Sequence, residues 1–295
     1  MGTMPRVRAN GIDIEYETFG NPGGLPLLLI GGLSVQMTDW DDELCLSLAA
    51  RGFHVVRFDN RDCGLSTHME AAGMPDMAAA LSGNPQPAYH LDDLADDAAG
   101  LLDALGIGAA HIVGASMGGF IAQLVAINHA DHVLTLTSIM SGPGGRDEIP
   151  PKPEGAAILI MAPPPTRGER IEQAMAVRRI LKGSGDPFDE DYERRRAERA
   201  VDRAYYPVGT ARQLVAILAA ESRVERLRGV KAPTLVLHGI DDVLVPVENG
   251  RIVAATVPGA RLVEFTGMGH NLPRRVWPQV IDAIAEIAAP ALQPK

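Results

Sequence analysis

Short apolar runs recur along the chain, and most of them do not alternate with polar positions. Leu25 to Ile30, His54 to Phe58, His111 to Val113, Val133 to Ile139, Thr234 to Leu237 and Arg261 to Phe265 each read as a strand. Runs without a polar face suit strands covered on both sides, as in a parallel sheet. The opening segment differs. From Arg6 to Phe19, Ile12, Ile14 and Tyr16 alternate with Asp13 and Glu15, and Asn10-Gly11 supplies the residue pair of a type I′ turn, so an antiparallel hairpin is expected. Between the runs lie segments with helical spacing. In Leu91 to Leu105, an apolar stripe of Leu91, Leu94, Ala98, Leu101 and Leu105 runs beside Asp92, Asp93, Asp96 and Asp97, and Gly106 ends the pattern. Strand alternating with helix implies right-handed crossovers and a mostly parallel, doubly wound α/β sheet, whose ligands sit outside the carboxyl ends of the strands.

The rhythm breaks between Pro143 and Ser222. The stretch opens with Pro143, Gly144, Gly145, Pro150, Pro151 and Pro153, then continues as helical sequence, including a charge-dense Asp189 to Ala204 and a more apolar Ala211 to Ala220. An inserted helical cap over residues 143–222 is the simplest reading, with residues 1–142 and 223–295 forming one core domain. The charges of Asp189 to Ala204 read as a solvated helix face.

Composition narrows the function classes. The 295 residues are 46% apolar and 22% charged, ordinary for a globular protein with a sizeable core. A formal net charge of −10 opposes phosphate backbones and anionic lipid, so neither nucleic acid nor a membrane is an expected partner. Met1 to Arg8 lack the apolar stretch of a secretory signal, and no apolar run reaches the roughly 20 residues that span a bilayer, which makes the cytoplasm the expected location. Cys45 and Cys63 are too few and too scattered for a disulfide framework and read as free thiols.

Chemistry enters at His111-Ile-Val-Gly114-Ala-Ser116-Met-Gly118-Gly119-Phe120, a GxSxG sequence directly after a strand-like run and before a helical one. That context makes a sharp strand-to-helix turn that lifts a serine hydroxyl to the sheet edge, at a helix N-terminus whose amides favour developing negative charge. A serine hydroxyl needs a base, and the base needs a partner to hold its tautomer. Among eight histidines, His270 alone lies downstream of the last strand-like run, in Gly267-Met-Gly269-His270-Asn271. The acid is expected from Asp241-Asp242, just past the Thr234 strand; neighbours cannot both point at His270, and Asp242 is favoured, leaving Asp241 to stabilise the turn. Two donors must hold an oxyanion: the Met117 amide, and a Gly32 or Leu33 amide from the Gly31-Gly32-Leu33-Ser34 loop. Met37, Trp40 and Phe120 are candidate pocket residues, with core packing an equal alternative. No HExxH or paired CxxC spacing calls for a metal, and no cofactor is expected.

Taken together, Ile30-Gly31-Gly32, the Arg57 to Ser66 segment, the GASMGG elbow, His238 to Pro246 and Gly267 to His270 resemble the α/β-hydrolase superfamily over nearly the whole chain. Within it, Gly31-Gly32 and the Ile180 to Asp189 segment resemble the aclacinomycin methylesterase-like branch and its relatives that open macrolide lactones. The resemblance implies an α/β-hydrolase fold with an N-terminal antiparallel hairpin and a helical cap. It implies a serine-dependent carboxylic-ester hydrolase working through an acyl-enzyme on a small-molecule polyketide- or macrolide-like ester or lactone; a cap rich in Ala, Leu, Ile and Met suggests that this substrate is apolar and bulky, and a monomer or small homo-oligomer is expected. Asp59 to Ser66 would be a structural turn. Two rivals share the scaffold: a cofactor-free haloperoxidase or perhydrolase with the same triad, and a non-catalytic small-molecule receptor.

Overall fold

A computed structural model describes residues 5–289. Eight strands among them form one sheet: β1 (Arg6–Ala9), β2 (Ile12–Phe19), β3 (Leu25–Ile30), β4 (Phe53–Phe58), β5 (Ala110–Ala115), β6 (Val133–Ile139), β7 (Thr234–Gly239) and β8 (Arg261–Phe265), in the order β1-β2-β4-β3-β5-β6-β7-β8. β1 and β2 form the expected hairpin, with Asn10 and Gly11 both at positive φ as a type I′ turn requires. β2 joins β4 antiparallel, and every later pairing is parallel. The chain passes from β3 to β4 on one side and returns to place β5 on the other. Strand order therefore reverses between β3 and β5, and a crevice opens at their carboxyl ends.

Eleven α-helices among the described residues accompany the sheet: α1 (Asp42–Ala50), α2 (Met77–Leu81), α3 (Leu91–Ala104), α4 (Met117–Asn128), α5 (Pro153–Leu159), α6 (Arg167–Leu181), α7 (Glu190–Arg203), α8 (Pro207–Leu218), α9 (Val224–Leu227), α10 (Val247–Thr256) and α11 (Trp277–Ala288). Burial explains the non-alternating strands. Leu28 and Ile30 of β3 join the α3 stripe and α4 in one apolar cluster, while Leu27 and Leu29 join Leu44 and Leu48 of α1 and Val280, Ile281 and Ile284 of α11 in another. With helices on both faces, successive strand residues all find apolar cover.

Helices α5 to α8 lie between β6 and β7, and α7 and α8 bond to the loops after β3 and β4 on the carboxyl side of the sheet. Here one expectation needs correcting. The charges of Asp189 to Ala204 are not simply a solvated face: Arg196 pairs at 2.9 Å with Asp39, which Arg178 of α6 also meets at 3.0 Å, and Arg203 pairs with the fully buried Asp59 at 2.8 Å. Gln36 also donates to the Ala200 and Ala204 carbonyls of α7. The local pattern shows only a run of long arginine side chains, because the carboxylates that pair with Arg196 and Arg203 lie some 150 positions away. Asp97 departs from its expected polar stripe as well, buried in a bidentate pair at 2.6 and 2.7 Å with Arg61, 36 positions earlier.

The deepest tie is Arg212 of α8. Its guanidinium makes two 2.7 Å bonds to Asp62, whose carboxylate also accepts from Tyr89 and from the Met69 amide. Both side chains are within 1% of fully buried. Removing one partner of such a pair strands the other charge away from water, at a cost of about 3–5 kcal/mol. Asp62→Asn keeps the shape and tolerance of left-handed backbone at this φ of 64°, so a denaturant titration reads the lost charge directly. A loss of that size is expected; a midpoint shift worth less than about 1 kcal/mol would class the pair with surface ion pairs.

Candidate active site

Ser116 occupies the bend between β5 and α4, with φ 57° and ψ −125°, a combination that costs an L-residue about 1–3 kcal/mol. The surroundings hold it there. Its amide donates to the Ile139 carbonyl at 2.9 Å, and its carbonyl accepts from the Ser141 hydroxyl at 2.6 Å and from the Gly119 amide at 2.8 Å. Small residues are obligatory around the bend: a Cβ on Gly114 would collide with the Gly118 carbonyl, and one on Gly118 with the Ile30 carbonyl. The side chain takes no part in capping α4, so the hydroxyl is free for other partners.

Its partner is His270. The hydroxyl lies 2.9 Å from Nε2, and Nδ1 lies 2.7 Å from Asp242 Oδ2. A carboxylate accepts only, so Nδ1–H donates to Asp242 and Nε2 is left to accept from Ser116. Asp242 Oδ1 accepts from the Leu244 and Val245 amides, both at 2.8 Å, which fixes the orientation of the whole carboxylate. Burial works against its charge, but the nearby His270, which also donates to the carboxylate, and the closeness of His238 outweigh it and hold the carboxyl well below its ordinary range. His238 is fully buried, with Nε2 3.6 Å from Asp242 Oδ2 and 2.8 Å from the Val245 carbonyl. Asp241 points elsewhere, accepting from the Ser184 amide at 2.9 Å and from its hydroxyl in the α6–α7 loop.

The loop after β3 closes the opposite side. A Cβ built on Gly32 would stand 3.2 Å from Ser116 Cβ and 3.6 Å from Oγ, so Gly32 is the residue that lets this loop approach the hydroxyl. Asn60 donates to the Gly31 carbonyl at 3.0 Å, and Gln213 of α8 accepts from the Ser34 amide at 2.9 Å. The Met117 amide belongs to the first turn of α4, where N–H groups have no intrahelical acceptor. Gly32 and Met117 thus stand beside Ser116, each just past the end of a strand.

The three pocket candidates are all buried. Trp40 packs with Leu44, Phe53 and Trp277 on the α1–α11 side, Phe120 lies in the α3–α4 cluster with the Arg223 guanidinium 4.7 Å from its ring centre, and the Met37 amide donates to Asp59. Cys45 and Cys63 are both free and buried. Burial pushes the Cys45 thiol up to about 12 and Cys63 well above its ordinary value, so neither offers a thiolate. Arg212 and Gln213 were missed in the sequence. The available signal was a pair of long polar residues inside the otherwise apolar Ala211 to Ala220.

Residues 26–273 match a model of the alpha/beta hydrolase fold. The chain belongs to the α/β hydrolase family. It is a hydrolase whose sheet, hairpin and elbow follow that family's plan. Among curated relatives, a rhodomycin D methylesterase from Streptomyces peucetius is 33% identical across 92% of this chain and 94% of its own length. A non-heme haloperoxidase from Rhodococcus erythropolis is 27% identical across 91% of this chain and 93% of its own. Of solved structures, a meta-cleavage product hydrolase from Pseudomonas fluorescens superposes with a TM-score of 0.76 over 97% of this chain and 98% of that one, at 21% identity. No helix among the described residues is long and apolar enough to cross a membrane.

Proposed function

We propose that this α/β hydrolase is a serine carboxylic-ester hydrolase that cleaves a bulky, apolar polyketide-like methyl ester or macrolide-like lactone. The observation that carries the reading is the unbroken chain of short hydrogen bonds from Asp242 through His270 to Ser116, set where strand order reverses. His270 Nε2 takes the hydroxyl proton as Ser116 Oγ attacks the ester carbonyl. The resulting oxyanion sits between the Met117 amide and the Gly32 or Leu33 amide. As the tetrahedral centre collapses, His270 returns the proton to the departing alkoxide, leaving an acyl-Ser116. Water, deprotonated by the same imidazole, then releases the acid and restores the serine.

Residues 143–222 act in this reading as a cap. Their anchors support it: α5 meets Val243 and Leu244, the α6–α7 loop meets Gly267 and Gly269, α7 meets Gln36 and Asp39, and α8 meets Ser34 and Asp62. All are loops on the carboxyl rim that also carries Ser116. The methylesterase likeness supports the ester class, and the haloperoxidase relative keeps the perhydrolase reading as the competitor.

A hydrolysis screen tests the substrate class, using short and long acyl p-nitrophenyl esters, anthracycline methyl esters and macrolides, beside a halogenation assay in acetate and peroxide. Methanol release from an anthracycline methyl ester is expected, with kcat/KM at least about tenfold above that for a short acyl ester, a difference near 1.4 kcal/mol. Preference for short acyl groups would reject the bulky substrate. Halogenation faster than hydrolysis would replace the esterase with the perhydrolase. Tight ligand binding without turnover, unchanged in Ser116→Ala, would identify a receptor.

A further inference from the structure

We propose that Gln213 is a positioning residue for the oxyanion donors, through which α8 sets the geometry of the loop after β3. The inference rests on the serine-hydrolase reading above. Gln213 is fully buried, and both ends of its amide are used: Oε1 accepts from the Ser34 amide at 2.9 Å and Nε2 donates to the Arg61 carbonyl at 2.8 Å. One side chain therefore ties the loop after β3 to the loop after β4.

The tie falls at a strained point. Ser34 has φ 59°, the left-handed region that L-residues other than Asn and Asp seldom occupy. The Leu33 amide, the candidate oxyanion donor, lies one peptide earlier. Without a fixed acceptor for Ser34 N–H, the Leu33–Ser34 segment is free to relax toward negative φ and to swing the donor away from Ser116. The other end of the loop is already fixed by Asn60 on the Gly31 carbonyl, and the Val35 amide closes a turn on the Gly32 carbonyl at 3.3 Å. Gln213 is thus the downstream anchor that bonds nearest the Leu33 amide, ahead of Gln36 on α7 and the Met37 amide on Asp59. Such a residue touches neither substrate nor reacting atoms, so its effect should appear in the transition state and leave substrate binding nearly unchanged.

Three variants separate this role from plain packing. Gln213→Met fills the space without an acceptor. Gln213→Asn keeps the amide but shortens its reach, and serves if the methionine variant folds poorly. Gln213→Glu is isosteric, and in either protonation state its carboxyl keeps an oxygen for Ser34 N–H. Steady-state hydrolysis of a p-nitrophenyl ester, normalised to titrated active sites, is measured with inhibition by phenylboronic acid. Addition of Ser116 Oγ to the trigonal boron, with the hydroxyl proton passing to His270, gives a tetrahedral adduct whose boron-bound oxygen occupies the oxyanion site. For Met and Asn we expect kcat per active site to fall about 10- to 100-fold with KM within about twofold, and the boronate inhibition constant to rise in step. Glu should recover most of the loss.

Unchanged kcat per site and unchanged boronate affinity in Gln213→Met or Gln213→Asn, alongside active wild type and inactive Ser116→Ala, would overturn the positioning role alone. Wild type that neither cleaves ester nor binds phenylboronic acid would bring down the serine-hydrolase reading, and this inference with it.

Discussion

Ser116→Ala should leave no more than about one part in a thousand of the ester cleavage, measured as kcat on a p-nitrophenyl ester. The expectation is large because the hydroxyl has no substitute. Ser141, the nearest serine after β6, donates its proton to the Ser116 and Ile139 carbonyls, and both cysteines are buried as neutral thiols. It is also clean. The backbone bonds that hold the elbow run from the Ser116 amide and carbonyl, and the side chain caps nothing, so alanine inherits the same φ and the same supports. Stability should therefore fall by no more than about 1.5 kcal/mol, the net worth of the one hydrogen bond, Ser116 to His270, that alanine removes. A folded alanine variant that keeps a tenth of the activity would mean that another group attacks the ester.

The parts of this site that were legible in the sequence are those encoded locally. Asn10-Gly11 fixes a turn because two consecutive residues must take positive φ, and both do. Gly114, Ser116 and Gly118 announce an elbow because each glycine faces backbone that leaves no room for a Cβ. The unbroken apolar runs of β3 and β5 disclose a doubly covered sheet because burial on both faces removes the need for polar positions. What was not legible is encoded by pairing across the chain. Arg203 finds Asp59 and Arg212 finds Asp62 only after the helices between β6 and β7 fold back over the rim, and the local pattern, which at Arg212 shows only a long polar residue amid apolar ones, names a partner for neither. Gln213 is the same kind of residue. The His238 approach to Asp242 was hidden for another reason: a histidine inside an apolar strand reads as packing until the turn that follows brings its own carboxylate back.

Exchanging one oxygen of Asp242 for nitrogen should cost about 10⁴ in kcat, while the same change at Asp241 should leave activity within a few-fold. Asp242 Oδ1 is held by two backbone amides, from Leu244 and Val245, which require an acceptor. In Asp242→Asn the amide oxygen must take that place, and the NH2 group then faces His270 Nδ1. Nδ1 becomes the acceptor, the ring proton moves to Nε2, and the nitrogen that should receive the Ser116 proton is occupied. Asp241 carries no such burden. Its carboxylate is half-buried and bonds to Ser184, which holds the α6–α7 loop. The pH dependence follows with a definite sign. Because the Asp242 carboxyl lies below its ordinary 3.8 in the folded protein, the stability it contributes is complete above that value and is lost only as pH falls through the lower folded one. No acid limb of kcat/KM above about pH 4 should therefore originate at Asp242. An Asp241→Asn enzyme that loses activity beside a working Asp242→Asn enzyme would place the acid one residue earlier and require the turn after β7 to rearrange when substrate binds.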